Sequence, residues 1–256
     1  MNTNTWSLTG KKALVTGSTK GIGLATVWEL MLLGAEVVIV SRHQSDIDLV
    51  IAEAKNFHYK IIGVEADVST KDGRDKIFKH IEKQGSRLDI LVNNVGTNIR
   101  KSFLDTTEEE MDGVIKTNLT SGVELAKLMF RFLKESKAAS IINVASVAGS
   151  IDAGTGAAYG ISKGAEIQLT RVLANEWGVH GIRVNTVSPW FTETPLTEPL
   201  LKRPEIVAKV QARTPLGRIA KASEMANVIA FLAMEKSSYL TGQNIIVDGG
   251  MTTRAL

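Results

Sequence analysis

The chain has 256 residues, 44% of them hydrophobic and 22% charged, which suits one large α/β domain with a sizeable core. Its formal charge of +3 comes from lysines and arginines scattered along the chain, not from the basic runs of a nucleic-acid-binding arm. With no cysteine there is no disulfide, thiolate metal site or cysteine nucleophile, and nothing points to secretion.

The amino terminus, "MNTNTWSLTGKK", is polar and lacks the apolar segment of a signal peptide, and no later run approaches the length of a membrane span. A cytoplasmic protein with no membrane or nucleic-acid partner is the expectation. The first β-branched run, "KALVT" at 12–16, leads straight into "TGSTKGIG" at 16–23. Gly17, Gly21 and Gly23 permit a tight turn and close backbone approach, and the helix that follows, "GIGLATVWELMLLG", aims unpaired N–H groups and its positive dipole end at the turn. An anion belongs among Gly17, Ser18, Thr19, Lys20, Gly21, Ile22 and Gly23. The spacing is neither that of a Walker loop nor the common G-x-G-x-x-G.

The second run, "EVVIVS" at 36–41, ends at Ser41 and Arg42, where NAD sites carry a carboxylate for the ribose 2′-hydroxyl. A carboxylate would repel a 2′-phosphate, whereas Arg42 can grip one bidentately and Lys20 can add charge, so NADP(H) is the expected cofactor. Run three, "KIIGVEA" at 60–66, precedes Asp67 and Val68; Asp67 suits either hydrogen bonding to an adenine or capping of the next helix. The fourth, "LDILVNN" at 88–94, leads to Asn94, Val95 and Gly96, and a long helical stretch with Asn118 follows at 108–135. The fifth, "SIINVAS" at 140–146, ends in Ser146, whose hydroxyl can bind a substrate oxygen or cap a turn.

Next comes "GTGAAYGISKGAEIQL" at 154–169, with Tyr159 one helical turn ahead of Lys163. A tyrosine pKa near 10 is too high for proton exchange at neutrality, and bringing it to about 7 takes roughly 4 kcal/mol, a demand that an ammonium at i+4 can help to meet. The sixth run, "IRVNTVS" at 182–188, opens into "SPWFTETPLTEPLLKRPE", which holds four of the five prolines and begins a substrate-loop insertion at about 188–216, a candidate lid. The seventh run is "NIIVDGG" at 244–250. Nearly continuous apolar strands alternating with helices imply a parallel sheet covered on both faces, a doubly wound α/β fold.

In order and spacing, "TGSTKGIG", "NNVG" at 93–96, Asn118, Ser146 and "YGISK" at 159–163 resemble the short-chain dehydrogenase/reductase family over essentially the whole length. "NNVGTNIRK" and "SPW" look most like its tropinone-reductase-like branch. The resemblance implies a single Rossmann-type domain with a seven-stranded parallel sheet flanked by helices. It implies Tyr159 as catalytic acid/base, Lys163 depressing its pKa and holding the nicotinamide ribose, Ser146 polarising the carbonyl and Asn118 keeping a relay water behind Lys163. Asn94 to Gly96, Pro189, Thr192 and Thr194 would line the cofactor, with Thr194 at the carboxamide. Two positions depart from the commonest pattern: Val95 stands for alanine, and Trp190 for the glycine after the proline. Trp190 either narrows the substrate pocket or packs under the loop.

The implied activity is NADP(H)-dependent interconversion of a small ketone and its alcohol. A second reading is a 3-oxoacyl-[acyl-carrier-protein] reductase, with Lys202, Arg203, Lys209, Arg213 and Arg218 as a docking patch; a third is a non-catalytic NADP-binding regulator. His43, His58, His80 and His180 are too dispersed for a metal site, and Ser146 lacks the glycines of a hydrolase nucleophile elbow. A homotetramer or homodimer is implied, with Leu125, Leu128 and Met129 as interface candidates.

Overall fold

The computed structural model describes residues 6–85 and 87–253; residues 1–5 of the polar amino terminus lie outside it. Strands β1 (Lys12–Thr16), β2 (Glu36–Ser41), β3 (Ile61–Glu65), β4 (Ile90–Asn93), β5 (Ala139–Val144), β6 (Ile182–Pro189) and β7 (Asn244–Val247) form one sheet. Every pairing is parallel and the order is β3-β2-β1-β4-β5-β6-β7. This is a Rossmann-type α/β fold. The chain winds outward from β1 to β3, then crosses back to β4, so a crevice opens where β1 and β4 diverge at their carboxyl ends.

The period-2 geometry of strands explains the continuous apolar runs. In β1, Ala13 and Val15 face a core shared with Val27, Leu30, Ile47 and Ile229, whereas Leu14 faces a second core with Ile77, Ile81, Leu125 and Phe132. Helices α1 (Gly21–Leu32) and α2 (Gln44–Lys55) therefore cover one face of the sheet. On the other lie α3 (Lys71–Lys83), α5 (Ser121–Leu133) and α6 (Ala157–Trp177), with α4 (Glu108–Ile115) packed against α6. Two short helices, α7 (Glu198–Leu201) and α8 (Pro204–Arg213), occupy the 188–216 excursion, and α9 (Ala222–Ala233) returns to pack against α1.

Several expectations shift in detail. Strands three, four, five and seven stop short of their apolar runs; Asn94 and Ser146, just beyond the ends of β4 and β5, line the crevice. The stretch at 108–135 is not one regular helix: a π-helical turn at Lys116–Thr120 interrupts it and carries Asn118, a distortion frequent at functional sites. β7 is an edge strand with Ile246 exposed, so it is not covered on both faces. Leu125 and Met129 are buried in the second core and have no surface to offer a partner subunit.

Phe132, 1% exposed, packs a tilted ring 5.3 Å from that of Phe78 within this second core. Phe132→Ala should lower stability by about 3–5 kcal/mol, read as a reduced midpoint in urea unfolding with an unchanged slope.

Candidate active site

The turn after β1 is built on glycine geometry. Gly17 and Gly21 have φ of 60° and 56°, which side chains resist, and a Cβ on Gly23 would sit 2.2 Å from the Gly17 carbonyl oxygen. Gly23 is thus what lets α1 start tight against the turn. Lys20, the residue before α1, puts no side-chain cap on the helix, so the first N–H groups face the crevice. Ser18 is fully buried: its hydroxyl accepts from the Val40 N–H at 2.7 Å and lies 3.2 Å from the Val40 carbonyl, which lashes the turn to the end of β2. Asn94 does the same from β4, its Nδ2 donating to the carbonyls of Thr16 and Gly17 at 3.0 Å each.

The crevice is a cleft of about 670 Å³. One end is walled by the glycine turn, by Ser41, Arg42 and His43 after β2, and by Asp67, Val68 and Ser69 after β3. Arg42 is exposed and makes no ion pair among the described residues, while Lys20 meets Asp46 at 3.0 Å. Burial works against ionisation of Asp67, but the Ser69 hydrogen bonds and the charges of Arg42 and Lys116 outweigh it and hold the carboxyl below its ordinary value. Thr19 Oγ1 donates to Ser41 Oγ at 3.2 Å, and the Val68 carbonyl accepts from Arg74 at 2.7 Å, so this wall is braced from behind.

At the other end Ser146, Tyr159 and Lys163 line the same cleft with Val144, Ala145, Pro189 and Trp190. Ser146 caps a short turn, its Oγ accepting from the Ala148 N–H at 3.2 Å, and the same residue lines the cleft. Tyr159 sits in the first turn of α6, which starts after Gly156 at φ 91°. The Lys163 Nζ lies 5.8 Å from the centre of the Tyr159 ring and donates to the Val144 carbonyl at 2.9 Å. Burial disfavours the Lys163 charge, yet the charges of Glu166 and Tyr159 hold its pKa above the ordinary lysine value. Asn118 stands behind the cleft wall: its Oδ1 accepts from the Thr97 N–H at 2.8 Å and its Nδ2 donates to the Thr97 carbonyl and to Ser162 Oγ. Gly96 lies against both, a Cβ there falling 3.5 Å from Lys163 Nζ and 3.7 Å from Asn118 Oδ1.

The excursion after β6 closes over the middle. A Cβ on Gly21 would lie 3.2 Å from the Thr194 side chain, so residues 194–197 roof the glycine turn. Thr192 is buried, with its hydroxyl turned to the Trp190 carbonyl and its backbone bridged to Ala220. Trp190 reaches the cleft while its indole N–H donates to Thr214 Oγ1 at 3.2 Å, at the far end of α8.

Of the sequence-based candidates, Gly17, Thr19, Lys20, Gly21, Ile22, Ser41, Arg42, Asp67, Val68, Asn94, Val95, Gly96, Ser146, Tyr159, Lys163, Pro189, Trp190, Thr192 and Thr194 line one cleft. Ser18, Gly23 and Asn118 support that cleft from outside its wall. Sequence reasoning missed Asp46, Thr97 and Thr117 on the wall and Glu166 behind Lys163. Only Glu166 carried a signal, its i+3 spacing from Lys163.

A family model described as enoyl-(acyl carrier protein) reductase matches residues 17–252. A tropinone reductase homolog of Arabidopsis thaliana is 44% identical over 248 residues, 96% of this chain and 94% of its own. A short-chain type dehydrogenase/reductase from Mycobacterium marinum superposes with a TM-score of 0.92 at 31% identity, covering 98% of this chain and 99% of that one. A gluconate 5-dehydrogenase from Burkholderia cenocepacia, solved with NADP and tartrate, superposes with a TM-score of 0.94 at 28% identity, with 98% and 99% covered.

Gly23→Ala must push the Gly17 carbonyl aside, an overpacking cost of about 1–3 kcal/mol. Thermal unfolding should show a lowered Tm, together with weaker binding of any dinucleotide seated on the turn.

Proposed function

Because the chain belongs to the short-chain dehydrogenase/reductase family, in its tropinone-reductase-like branch, we propose that it interconverts a small ketone and its secondary alcohol with Tyr159 as the proton-exchanging group. It is an NADP(H)-dependent oxidoreductase of carbonyl and hydroxyl groups. The observation that carries the finer reading is the convergence of Ser146, Tyr159 and Lys163 at one end of a cleft whose other end is a glycine turn flanked by the exposed Arg42.

The residues fit the cofactor. A Cβ would crowd the turn at Gly17, Gly21 and Gly23, which leaves the backbone and the α1 amino terminus for the pyrophosphate. Arg42 would hold the 2′-phosphate, with Lys20 beside it; the nearby Asp46 is already matched by Lys20 and does not stand as an isolated negative charge. Asp67, Val68, Asn94, Val95, Gly96, Pro189, Thr192 and Thr194 would border the adenine, ribose and nicotinamide portions. When bound, the reduced cofactor supplies a hydride for the carbonyl carbon, and the oxidised form accepts one in the reverse direction. Ser146 Oγ donates to the carbonyl oxygen and polarises it. Tyr159 gives its proton to that oxygen in reduction and takes it back in oxidation. The Lys163 ammonium, 5.8 Å from the centre of the ring, is placed to stabilise the negative charge left on the phenol oxygen when its proton is given up. Asn118 keeps the 97 segment and Ser162 in place behind the lysine.

Trp190, Ala145 and Leu196 give the catalytic end an apolar lining, which favours a small hydrophobic ketone. Three of the five basic residues of the carrier-protein alternative are engaged internally, which favours the small-ketone reading: Lys202 meets Glu198, Arg203 meets Glu205, and Arg218 meets Glu224 through both carboxylate oxygens. A non-catalytic regulator would have no need of Ser146, Tyr159 and Lys163 in one cleft. Cytoplasmic residence and a homotetramer belong to the same reading. Of the three α5 candidates only Leu128 is not fully buried, and the exposed Ile161 and Val172, one stripe along α6, are further apolar residues that a subunit contact would cover.

Tyr159→Phe should bind NADPH as the parent does yet lose about 10²–10⁴-fold in kcat. Unchanged turnover of a ketone panel, followed by NADPH absorbance, would refute its role. Arg42→Ala removes a charged hydrogen bond of about 1.5–3 kcal/mol and should raise the Kd for NADPH roughly 10–100-fold while leaving that for NADH nearly unchanged.

A further inference from the structure

Glu166 takes no part in the acid–base scheme above, yet it is one of the most constrained carboxylates in the molecule. It lies one turn beyond Lys163 on α6, is 7% exposed, and both its oxygens accept from Lys163 Nζ, Oε1 at 3.1 Å and Oε2 at 2.9 Å. Its neighbours on the buried face of α6 include Ala158, Ile167, Leu173 and Ala174, so an apolar residue would suit the position. Burying a carboxylate is costly unless its partner needs it.

We propose that Glu166 is a positioning residue for the proposed catalytic lysine: its carboxylate holds the Lys163 ammonium beside β5 and, by offsetting part of that charge, sets the pH at which Tyr159 releases its proton. The proposal rests on the acid–base reading of Tyr159 and Lys163. An ammonium has three N–H groups. Fixed acceptors on two sides, the Val144 carbonyl and Glu166, restrict how the Lys163 head can turn. A positive charge by itself favours the phenolate strongly; with a negative oxygen 2.9 Å behind it, the field at Tyr159 becomes that of a dipole and is weaker.

The surroundings isolate this arrangement. Against the same part of α6, β5 presents the Val144 carbonyl, the π turn presents Asn118 bonded to Ser162, and the 147–149 turn presents the backbone of Gly149. β6 presents Thr186, bonded to Thr170, and α4 has Glu110 engaged by Lys101. Lys163 is the charged group acting on the Glu166 carboxyl among the described residues, and Arg100 is the further cation whose field couples to Tyr159. Burial, opposed by the Lys163 charge, pushes the Glu166 carboxyl up to about 7. On this proposal an ionised Glu166 opposes the release of the Tyr159 proton by offsetting the Lys163 charge, and its loss as a charge favours that release.

The test reads the phenol directly. Phenolate ultraviolet absorbance is titrated in the cofactor-free protein, and the Tyr159 transition is isolated as the difference from a Tyr159→Phe background. Glu166→Gln, and independently Glu166→Met, should move that transition down by about one pH unit, and Glu166→Asp should return it toward the parent value. The pH profile of kcat/KM for alcohol oxidation should shift the same way. Transitions in the uncharged variants that coincide with the parent would overturn the proposal while Tyr159→Phe still lacks turnover. A Tyr159→Phe protein that remains active would overturn the acid–base reading itself, and the role of Glu166 with it.

Discussion

An ammonium group removed from water must be given acceptors by the protein, and the end of the cleft that holds Tyr159 is organised around that requirement at Lys163. The Val144 carbonyl and the Glu166 carboxylate meet it. Because Val144 ends β5 and Glu166 belongs to α6, the bonds that satisfy the lysine also fix the helix to the strand end, and Tyr159 is carried on the first turn of that helix. The phenol's orientation and its electrostatic environment therefore have one origin. The cleft's other end obeys a similar economy: Ser18, Asn94 and Thr19 bond to strand ends and turn carbonyls, which leaves the backbone of the glycine turn facing inward.

Much of this was legible in sequence, for a physical reason. A parallel strand buried on both faces needs an unbroken apolar run, so the inner strands were readable, and strand ends in such folds gather ligands, so Ser146 and Arg42 could be placed. The π turn at Lys116–Thr120 was not legible, because nothing in "KTNLT" departs from ordinary helix composition, and the partners that hold its Asn118, Thr97 and Ser162, are distant in the chain. Leu125 and Met129 misled for a related reason. An apolar stripe on a helix looks the same whether it meets its own sheet or another subunit, and only the packing of α5 against the second core decides. Glu166 fell between the two cases: its spacing from Lys163 was visible, but a salt bridge at i+3 is commonplace on solvent-facing helices, and burial alone gives this one its significance.

The excursion between β6 and α9 shows how charge counting in sequence can miscarry. Five basic residues along 202–218 look like a docking surface, yet three are matched by Glu198, Glu205 and Glu224 close by in the chain. What distinguishes the segment is instead the Trp190 indole tied to Thr214, which joins the first residues of the excursion to the end of α8 and gives the cleft mouth a rigid aromatic edge.

The Asn94 amide has a broader consequence. By bonding to the carbonyls of Thr16 and Gly17 it stitches together the two strands between which the crevice opens, so the slot for a dinucleotide exists before anything enters it. Little ordering entropy then remains to be lost when a dinucleotide binds. The roof over residues 194–197, tied by the Thr194 and Thr197 hydroxyls, is carried by the excursion after β6 and not by a strand end, so the floor of the turn and its cover belong to separate parts of the chain.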